Sequence, residues 1–128
     1  MKLTSISPLL ESNDLQGTIK FYAELLGFTM RGSFKEGEEL VWCDLVKDNV
    51  SIMFTKPNGH MNDGKIMLSG SIYITVEDVD ALWNLIKDKC DVVYPIEDFV
   101  YGMREFAIRD NNGYVLNFGS DIGQVEGS

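Results

Sequence analysis

The segment from Asp14 to Phe28 reads DLQGTIKFYAELLGF, and it decides the fold of the chain. Asp14 stands where an N-cap residue accepts hydrogen bonds from the first free N–H groups of a helix. Gly27 stands where a glycine commonly ends one. Between them, apolar residues recur with the spacing of one helical face, at Leu15, Ile19, Tyr22 and Leu26. The segment therefore predicts an amphipathic helix between Asp14 and Gly27.

A second copy of this pattern begins 64 residues further along the chain. Asp78 takes the place of Asp14, and the apolar stripe after it is Val79, Trp83, Ile86 and Cys90. Self-similarity at a fixed spacing indicates repeated supersecondary units. We predict one domain over residues 1–128, with module 1 at about residues 1–56, a linker at about 57–68 and module 2 at about 69–120.

Extended segments bounded by turn residues surround each predicted helix. One precedes each helix, at Leu3–Leu10 and at Gly70–Val76. Three more follow each helix, at Thr29–Phe34, Leu40–Val46, Val50–Thr55, Val92–Pro95, Arg104–Arg109 and Gly113–Gly119. The irregular stretch Ile96–Met103 is expected to form a loop over a sheet edge. Each module thus has the order βαβββ, which predicts an α+β fold whose two tandem modules form a curved mixed sheet around a cleft.

Composition excludes several classes of function. The 128 residues carry 20 acidic and 11 basic side chains, a net charge of −9, which argues against nucleic-acid binding because such proteins cluster Lys and Arg. The sequence contains neither an apolar run of the roughly 20 residues that a membrane helix needs nor a signal-peptide pattern. Two cysteines are too few for a disulfide framework. We expect a cytoplasmic protein that binds neither nucleic acid nor membrane.

Three stretches resemble a known superfamily. They are Phe21–Phe28 at the end of the first helix, Lys2–Leu10 in the first extended segment, and Gly102–Asp110 followed by Gly113. Paired βαβββ modules with these stretches resemble the vicinal oxygen chelate superfamily, which includes glyoxalases, extradiol dioxygenases and bleomycin resistance proteins. Within it, the chain most resembles the bleomycin resistance protein group. The resemblance covers about residues 2–120 and implies the glyoxalase/bleomycin resistance fold.

The resemblance also identifies the positions where the superfamily's enzymes hold a divalent metal with His, Gln or Glu. Here these positions carry Ser7, Ser51 (or Met53 in the alternative register), Ser71 and Asn117. Neutral hydroxyl groups are poor ligands for zinc, iron or manganese, and the single histidine, His60, lies in a Gly/Asn-rich loop. We therefore expect no metal, no other cofactor and no metal-dependent catalysis.

The bleomycin resistance group instead implies sequestration of a bulky cationic drug by a protein without metal. A net charge of −9 attracts cations, and aromatic side chains stack on flat rings. The resemblance places a drug-stacking aromatic at Tyr101, directly before the Gly102 stretch. The expected ligand-binding residues are Phe34, Trp42, Met53, Phe99, Tyr101 and Asn117. For Trp42, packing in the core is the competing interpretation.

Two other functions compete with this metal-independent binding of a flat, cationic, antibiotic-like small molecule. One is a divergent lyase, isomerase or dioxygenase-like enzyme of the same superfamily, and the absent metal ligands count against it. The other is a purely structural dimerisation module.

We also expect a homodimer. Pro8 lacks a backbone donor and suits the point where an N-terminal strand passes to a partner, as it does in the resistance proteins. Sedimentation of a 14.4 kDa monomer would contradict this.

Overall fold

The computed structural model describes residues 1–61 and 65–123. The chain divides into two compact units, Met1–Met67 and Leu68–Ser128, and each holds one helix and one four-stranded mixed sheet. The α+β class and the two βαβββ modules are therefore confirmed. Residues 62–64 of the predicted linker lie outside the described residues.

Module 1 places its four strands in the order β1-β4-β3-β2. Strand β1 runs parallel to β4, and the other neighbours are antiparallel. The elements of module 1 are β1 (Leu9–Glu11), α1 (Leu15–Leu26), β2 (Thr29–Glu36), β3 (Glu39–Lys47) and β4 (Val50–Thr55).

Module 2 repeats this arrangement with the strand order β5-β8-β7-β6. Strand β5 is parallel to β8, as β1 is to β4. The elements of module 2 are β5 (Ile72–Thr75), α2 (Val79–Ile86), β6 (Asp91–Phe99), β7 (Met103–Arg109) and β8 (Val115–Asp121).

The predicted caps start and stop the helices. The Asp14 carboxylate accepts a hydrogen bond from the Gly17 N–H at 2.9 Å, and the Asp78 carboxylate accepts one from the Ala81 N–H at 3.1 Å. Gly27 ends α1 at φ 76°, a left-handed conformation that costs glycine little. The 64-residue repeat thus extends to the hydrogen bonds that fix each helix start.

Each helix packs on one face of its own sheet. In module 1, the fully buried Tyr22 lies 5.2 Å from the Phe54 ring. In module 2, the Trp83 ring lies 5.0 Å from Phe106, which in turn lies 5.4 Å from Phe118. These aromatic contacts centre the two cores between helix and sheet, where apolar burial stabilises each unit.

The first strand is shorter than the sequence predicts. Residues 3–8 of the predicted segment Leu3–Leu10 lie outside any strand, and Met1, Leu3 and Ile6 are exposed. Pro8 accepts a hydrogen bond from the Met53 N–H at 2.8 Å but has no N–H to donate in return. The parallel ladder therefore starts at Leu9.

The prediction of a loop at Ile96–Met103 is wrong for most of these residues. Strand β6 continues through Pro95 to Phe99, and only residues 100–102 form a turn before β7. Proline is tolerated here because β6 is the edge strand, where a missing backbone donor costs no ladder hydrogen bond. Irregular pairing on both sides of Tyr94 hides the strand from a simple alternation pattern.

The second helix is shorter than its apolar stripe suggests. It ends at Ile86, so Cys90 lies beyond it, where the Cys90 thiol donates to the Ile86 carbonyl at 3.2 Å. Neither helix of the described residues is long and apolar enough to cross a membrane.

Candidate functional site

Each sheet has one face turned away from its own helix, which we call the outward face. Side chains alternate along a strand, so the neighbours of a helix-facing residue point to the opposite side. In module 2, Phe106 and Phe118 face α2. Glu105, Asn117 and Gly119 therefore lie on the outward face, and the register places Glu105 directly across from Gly119.

Glu105 on β7 is the centre of a hydrogen-bonded group on this face. The residue is only 3% exposed. Tyr73 of β5 donates to its Oε1 at 2.9 Å, and Tyr101, in the turn after β6, donates to the same oxygen at 2.6 Å. Tyr94 of β6 donates to Oε2. We call these four residues the tyrosine–glutamate cluster.

Two further polar residues support the cluster from β8 and from the segment before β5. The Asn117 amide N–H donates to the Tyr94 hydroxyl oxygen at 2.8 Å. Ser71 donates its hydroxyl proton to the Asn117 Oδ1 at 2.5 Å. Asn117 therefore has a fixed orientation, and it holds the Tyr94 hydroxyl in position to donate to Glu105.

These contacts shift the pKa values of the cluster away from neutrality. Burial alone would raise the pKa of Glu105, but hydrogen bonds from Tyr101, Tyr94 and Tyr73 outweigh it and lower that pKa below its ordinary value. The hydrogen bond to Glu105 raises the pKa of Tyr101 to about 12. For Tyr73 and Tyr94, burial first and the Glu105 contact second raise the pKa. At neutral pH the cluster thus holds one carboxylate and three protonated phenols.

The aromatic rings of the cluster reach the surface. Tyr101 is 59% exposed and Tyr73 is 45% exposed. Phe99 stacks on Tyr101, with ring centroids 5.5 Å apart and planes 15° from parallel. Tyr94 meets the Phe99 ring edge-on at 5.7 Å. The outward face of module 2 therefore presents aromatic rings around a buried charge.

Gly119 makes room for Tyr73. A Cβ at Gly119 would lie 2.2 Å from the Tyr73 hydroxyl oxygen and 3.1 Å from the Met103 methyl carbon. Any larger residue would therefore push the Tyr73 hydroxyl from its present position beside Glu105.

No basic side chain neutralises Glu105 within the part of the chain that the structure describes. None of its ion pairs involves this carboxylate. The neighbouring Arg104 points to the opposite face of β7, where it binds Asp98 at 2.6 Å and Asp80 at 3.1 Å. The negative charge of Glu105 is thus stabilised by neutral donors alone.

The outward face of module 1 carries a different polar group. Asp44 on β3 is 7% exposed and pairs with the Arg31 guanidinium at 2.7 Å. Ser51 donates to Asp44 at 2.6 Å, and Ser7 donates to Ser51 at 3.0 Å. This group is a neutralised ion pair with two hydroxyls attached to it.

The expected ligand-binding residues fall into two sets, one in each module. Phe34 and Trp42 are cross-strand partners in module 1, with Phe34 exposed and Trp42 half-buried on the outward face. Met53 lies across from Asp44 on that same face. In module 2, Phe99, Tyr101 and Asn117 all join or adjoin the tyrosine–glutamate cluster. The second set is the one that the structure brings together around a charge.

The metal-ligand positions of the superfamily do not fit a metal ion here. In each module the relevant hydroxyl is already hydrogen-bonded, Ser7 to Ser51 and Ser71 to Asn117. The parallel registers pair Leu9 with Met53 and Tyr73 with Asn117, so Met53 is the counterpart of Asn117 in the repeat. Methionine, serine and asparagine make a weak donor set for zinc, iron or manganese. Among the residues that the structure describes, no three His, Cys, Asp or Glu side chains are grouped to hold a metal ion.

Sequence reasoning missed Glu105, Tyr73 and Tyr94 as site residues. They come from three different strands, and no local spacing connects them. A signal was nevertheless present in β7, where Met103, Glu105 and Ala107 alternate with Phe106 and Ile108. That alternation places a lone carboxylate on the face away from the helix.

The fold has many counterparts among solved structures. The structure of a glyoxalase-related enzyme from Clostridium phytofermentans has a TM-score of 0.78 at 19% identity, over 95% of this chain and 98% of that chain. TioX from Micromonospora sp. ML1 has a TM-score of 0.74 at 18% identity, over 92% of this chain and 98% of that one. The structure of a superfamily member from Sphaerobacter thermophilus DSM 20745 has a TM-score of 0.79 at 16% identity, over 94% of this chain and 98% of that chain. These likenesses show the fold.

Comparison of the sequence with protein-family models identifies the family. No curated protein matches the chain significantly. The family model described as the Glyoxalase/Bleomycin resistance protein/Dioxygenase superfamily matches residues 7–118, which is most of the chain. Together with the paired βαβββ modules, this match establishes that the chain belongs to the glyoxalase/bleomycin resistance protein/dioxygenase superfamily.

Proposed function

We propose that the protein is a metal-independent small-molecule binding protein that sequesters a flat, cationic, antibiotic-like ligand on the outward face of module 2. In this function the protein would resemble the bleomycin resistance proteins of the superfamily. The observation that carries the proposal is the buried Glu105 carboxylate, which has no basic partner among the residues that the structure describes and lies beside the exposed rings of Tyr73 and Tyr101.

A cationic aromatic ligand complements both parts of this surface. Stacking on Tyr101 and Phe99 supplies apolar contact, worth roughly 0.5–1.5 kcal/mol per ring pair beyond the buried area. The Glu105 charge attracts the positive charge of the ligand, and the net charge of −9 speeds encounter. The neutral rings alone would hold any flat molecule, so the carboxylate gives preference for a cation.

The chemistry of the cluster favours binding over catalysis by proton transfer. A general acid or base works best with a pKa near the working pH. Here hydrogen bonding lowers the pKa of Glu105 and raises the pKa of Tyr101 to about 12, both away from neutrality. The weak donor set at the superfamily's metal positions counts equally against a metal-dependent enzyme.

The test is the binding of a flat cation, N-methylacridinium, by titration calorimetry. Tyr101→Ala is expected to weaken binding by about 1–3 kcal/mol. It should lower the free energy of unfolding by only about 1 kcal/mol, because it removes one hydrogen bond to Glu105 but little core volume. Leu85→Ala is the matched control, since Leu85 is 61% exposed but lies on α2. It should leave the affinity unchanged.

Two results would contradict the proposal. One is the absence of measurable binding of N-methylacridinium to the unmodified protein. The other is equal affinity loss in Tyr101→Ala and Leu85→Ala, which would mean that the probe does not bind at the tyrosine–glutamate cluster.

A further inference from the structure

We infer that the module 2 site selects a cation whose positive charge is carried without N–H donors, such as a quaternary ammonium group or an N-alkylated aromatic ring, and that Glu105 is the specificity-determining residue. This inference rests on the proposed function and names the chemical class of its ligand.

The first reason is that Glu105 has little capacity left for direct hydrogen bonding. A carboxylate offers about four lone-pair sites. Tyr73 and Tyr101 both donate to Oε1, and Tyr94 donates to Oε2. The residue is also only 3% exposed. About one lone-pair site therefore remains, on Oε2 of a side chain with almost no exposed surface, so a ligand ammonium gains too little ion pairing to repay removal of its N–H groups from water.

The second reason is that the charge of Glu105 acts beyond its own hydrogen bonds. Three neutral phenols orient their dipoles toward the carboxylate but leave its net charge in place. Glu97 lies across from Glu105 in the register of β6 and β7 and adds a second negative charge. Asn117 and Ser71, which are linked to the cluster through the Tyr94 hydroxyl, are neutral. A cation held over the rings thus interacts with uncompensated negative charge.

The third reason is that the exposed surface of the cluster is aromatic. Tyr101 and Tyr73 are about half exposed, and Tyr101 is stacked on Phe99. Ring faces attract cations, and the attraction is most effective for quaternary ammonium groups because they are weakly hydrated. A primary ammonium is strongly hydrated and loses more on leaving water. Ring faces together with a buried charge therefore favour a cation without donors.

The test compares three flat probes with the full chain by titration calorimetry at mildly alkaline pH. N-methylacridinium is a cation with no N–H group, aminoacridinium is a cation with N–H groups, and acridine is neutral under these conditions. We expect N-methylacridinium to bind on the order of tenfold more tightly than either of the other two.

Two variants test the role of the Glu105 charge. Glu105→Gln should weaken N-methylacridinium binding on the order of tenfold while changing acridine binding less than about twofold. Because a buried substitution can impair folding, Thr75→Lys provides a second route. Thr75 is exposed on the edge strand β5, in register with Gly119 and so in the same row as Glu105. A lysine there would supply a counter-charge across Gly119 without removing any cluster hydrogen bond.

The matched control for Thr75→Lys is Thr75→Met, which has a similar length and no charge. The lysine variant should weaken N-methylacridinium binding on the order of tenfold, and the methionine variant should leave it within about twofold. Equal effects of the two variants, or equal affinity for all three probes, would overturn the inference. If N-methylacridinium and aminoacridinium bound equally tightly in a manner dependent on Tyr101, and both bound more tightly than acridine, the inference would be overturned while the proposed binding of a flat cation survived. If no probe bound, the binding function and the inference would both be overturned.

Discussion

Asp44 in module 1 and Glu105 in module 2 are both buried carboxylates on an outward sheet face, yet they are stabilised by opposite means. Asp44 pairs with Arg31 at 2.7 Å, so its charge is neutralised within its own module. Glu105 accepts hydrogen bonds from three tyrosines and keeps its charge. The two modules share their strand order and the register of their parallel strand pairs, and they differ in the side chains that the outward faces carry.

The repeat shows which position has changed. Thr55 and Gly119 stand 64 residues apart, and the register places Trp42 across from Thr55 and Glu105 across from Gly119. A tryptophan in one module thus occupies the place of the carboxylate in the other. The face toward the helix is apolar in both modules. The helix-facing side chains therefore stabilise the fold, and the side chains of the outward faces account for the chemical difference between the modules.

The largest effect is expected when equivalent core residues on the helix-facing sides of the two sheets are truncated. Phe54 and Phe118 are 64 residues apart, with 0% and 3% exposure. Phe54→Ala and Phe118→Ala should each lower the free energy of unfolding by about 3–5 kcal/mol, because each leaves a cavity in a core. Urea unfolding measures both. A cost under about 1 kcal/mol for either would show that the two cores are not equivalent.

A smaller effect is expected on the outward faces, where the modules should differ. Glu105→Gln should cost about 1–3 kcal/mol of stability, because it leaves phenol donors without an ionised acceptor. Asp44→Asn should cost less than about 1 kcal/mol, because Arg31 is largely exposed and returns to water. Equal costs in urea unfolding would mean that the tyrosines stabilise no more than an ordinary ion pair.

Glu105→Gln should also change how the stability of the protein depends on acid. The folded-state pKa of Glu105 lies below its ordinary value of 4.5, so ionisation favours the folded state. Its contribution to stability is complete above the ordinary value and is lost as the pH falls through the lowered one. Unfolding followed against pH should therefore show a weaker acid dependence in Glu105→Gln. An unchanged acid dependence in that variant would contradict the pKa direction.

The smallest effect concerns the space beside Tyr73. Gly119→Ala should cost about 0.5–1.5 kcal/mol, because the added methyl group displaces the Tyr73 hydroxyl from Glu105. Thr55 is the equivalent residue in module 1 and already has a Cβ, so Thr55→Ala serves as the control. In ultraviolet titration the pKa of Tyr73, raised by burial and by Glu105, should move back toward 10.0 in Gly119→Ala. A titration identical to that of the unmodified protein would show that Tyr73 keeps its place.

Features set by neighbouring residues were predictable from the sequence. The caps at Asp14 and Asp78, the stop at Gly27 and the 64-residue repeat depend on contacts within a few residues or on direct comparison of two segments. They led to the α+β class and the two modules without knowledge of packing. Half of the expected ligand-binding set, Phe99, Tyr101 and Asn117, also lies at or beside the cluster, and the family resemblance indicates the positions of Tyr101 and Asn117.

The centre of the cluster was not predictable in the same way. Glu105 acquires its role from Tyr73, Tyr94 and Tyr101, which meet only after three strands have aligned. The position of Tyr94 depends on irregular pairing in β6, and the expected end of that strand near Pro95 concealed it. Strand registers and bulges are set by tertiary contacts, so the sequence pattern contains little information about them.

The two tryptophans have a practical consequence for following the unfolding of this protein. Trp42 lies in the first unit and Trp83 in the second, and the sequence contains no others. Trp42→Phe leaves an indole fluorophore that reports on the Phe106 core alone, and Trp83→Phe leaves one that reports on the sheet of module 1. The chain thus carries one intrinsic optical probe for each βαβββ module, and coincident or separate fluorescence transitions reveal whether the two halves melt cooperatively.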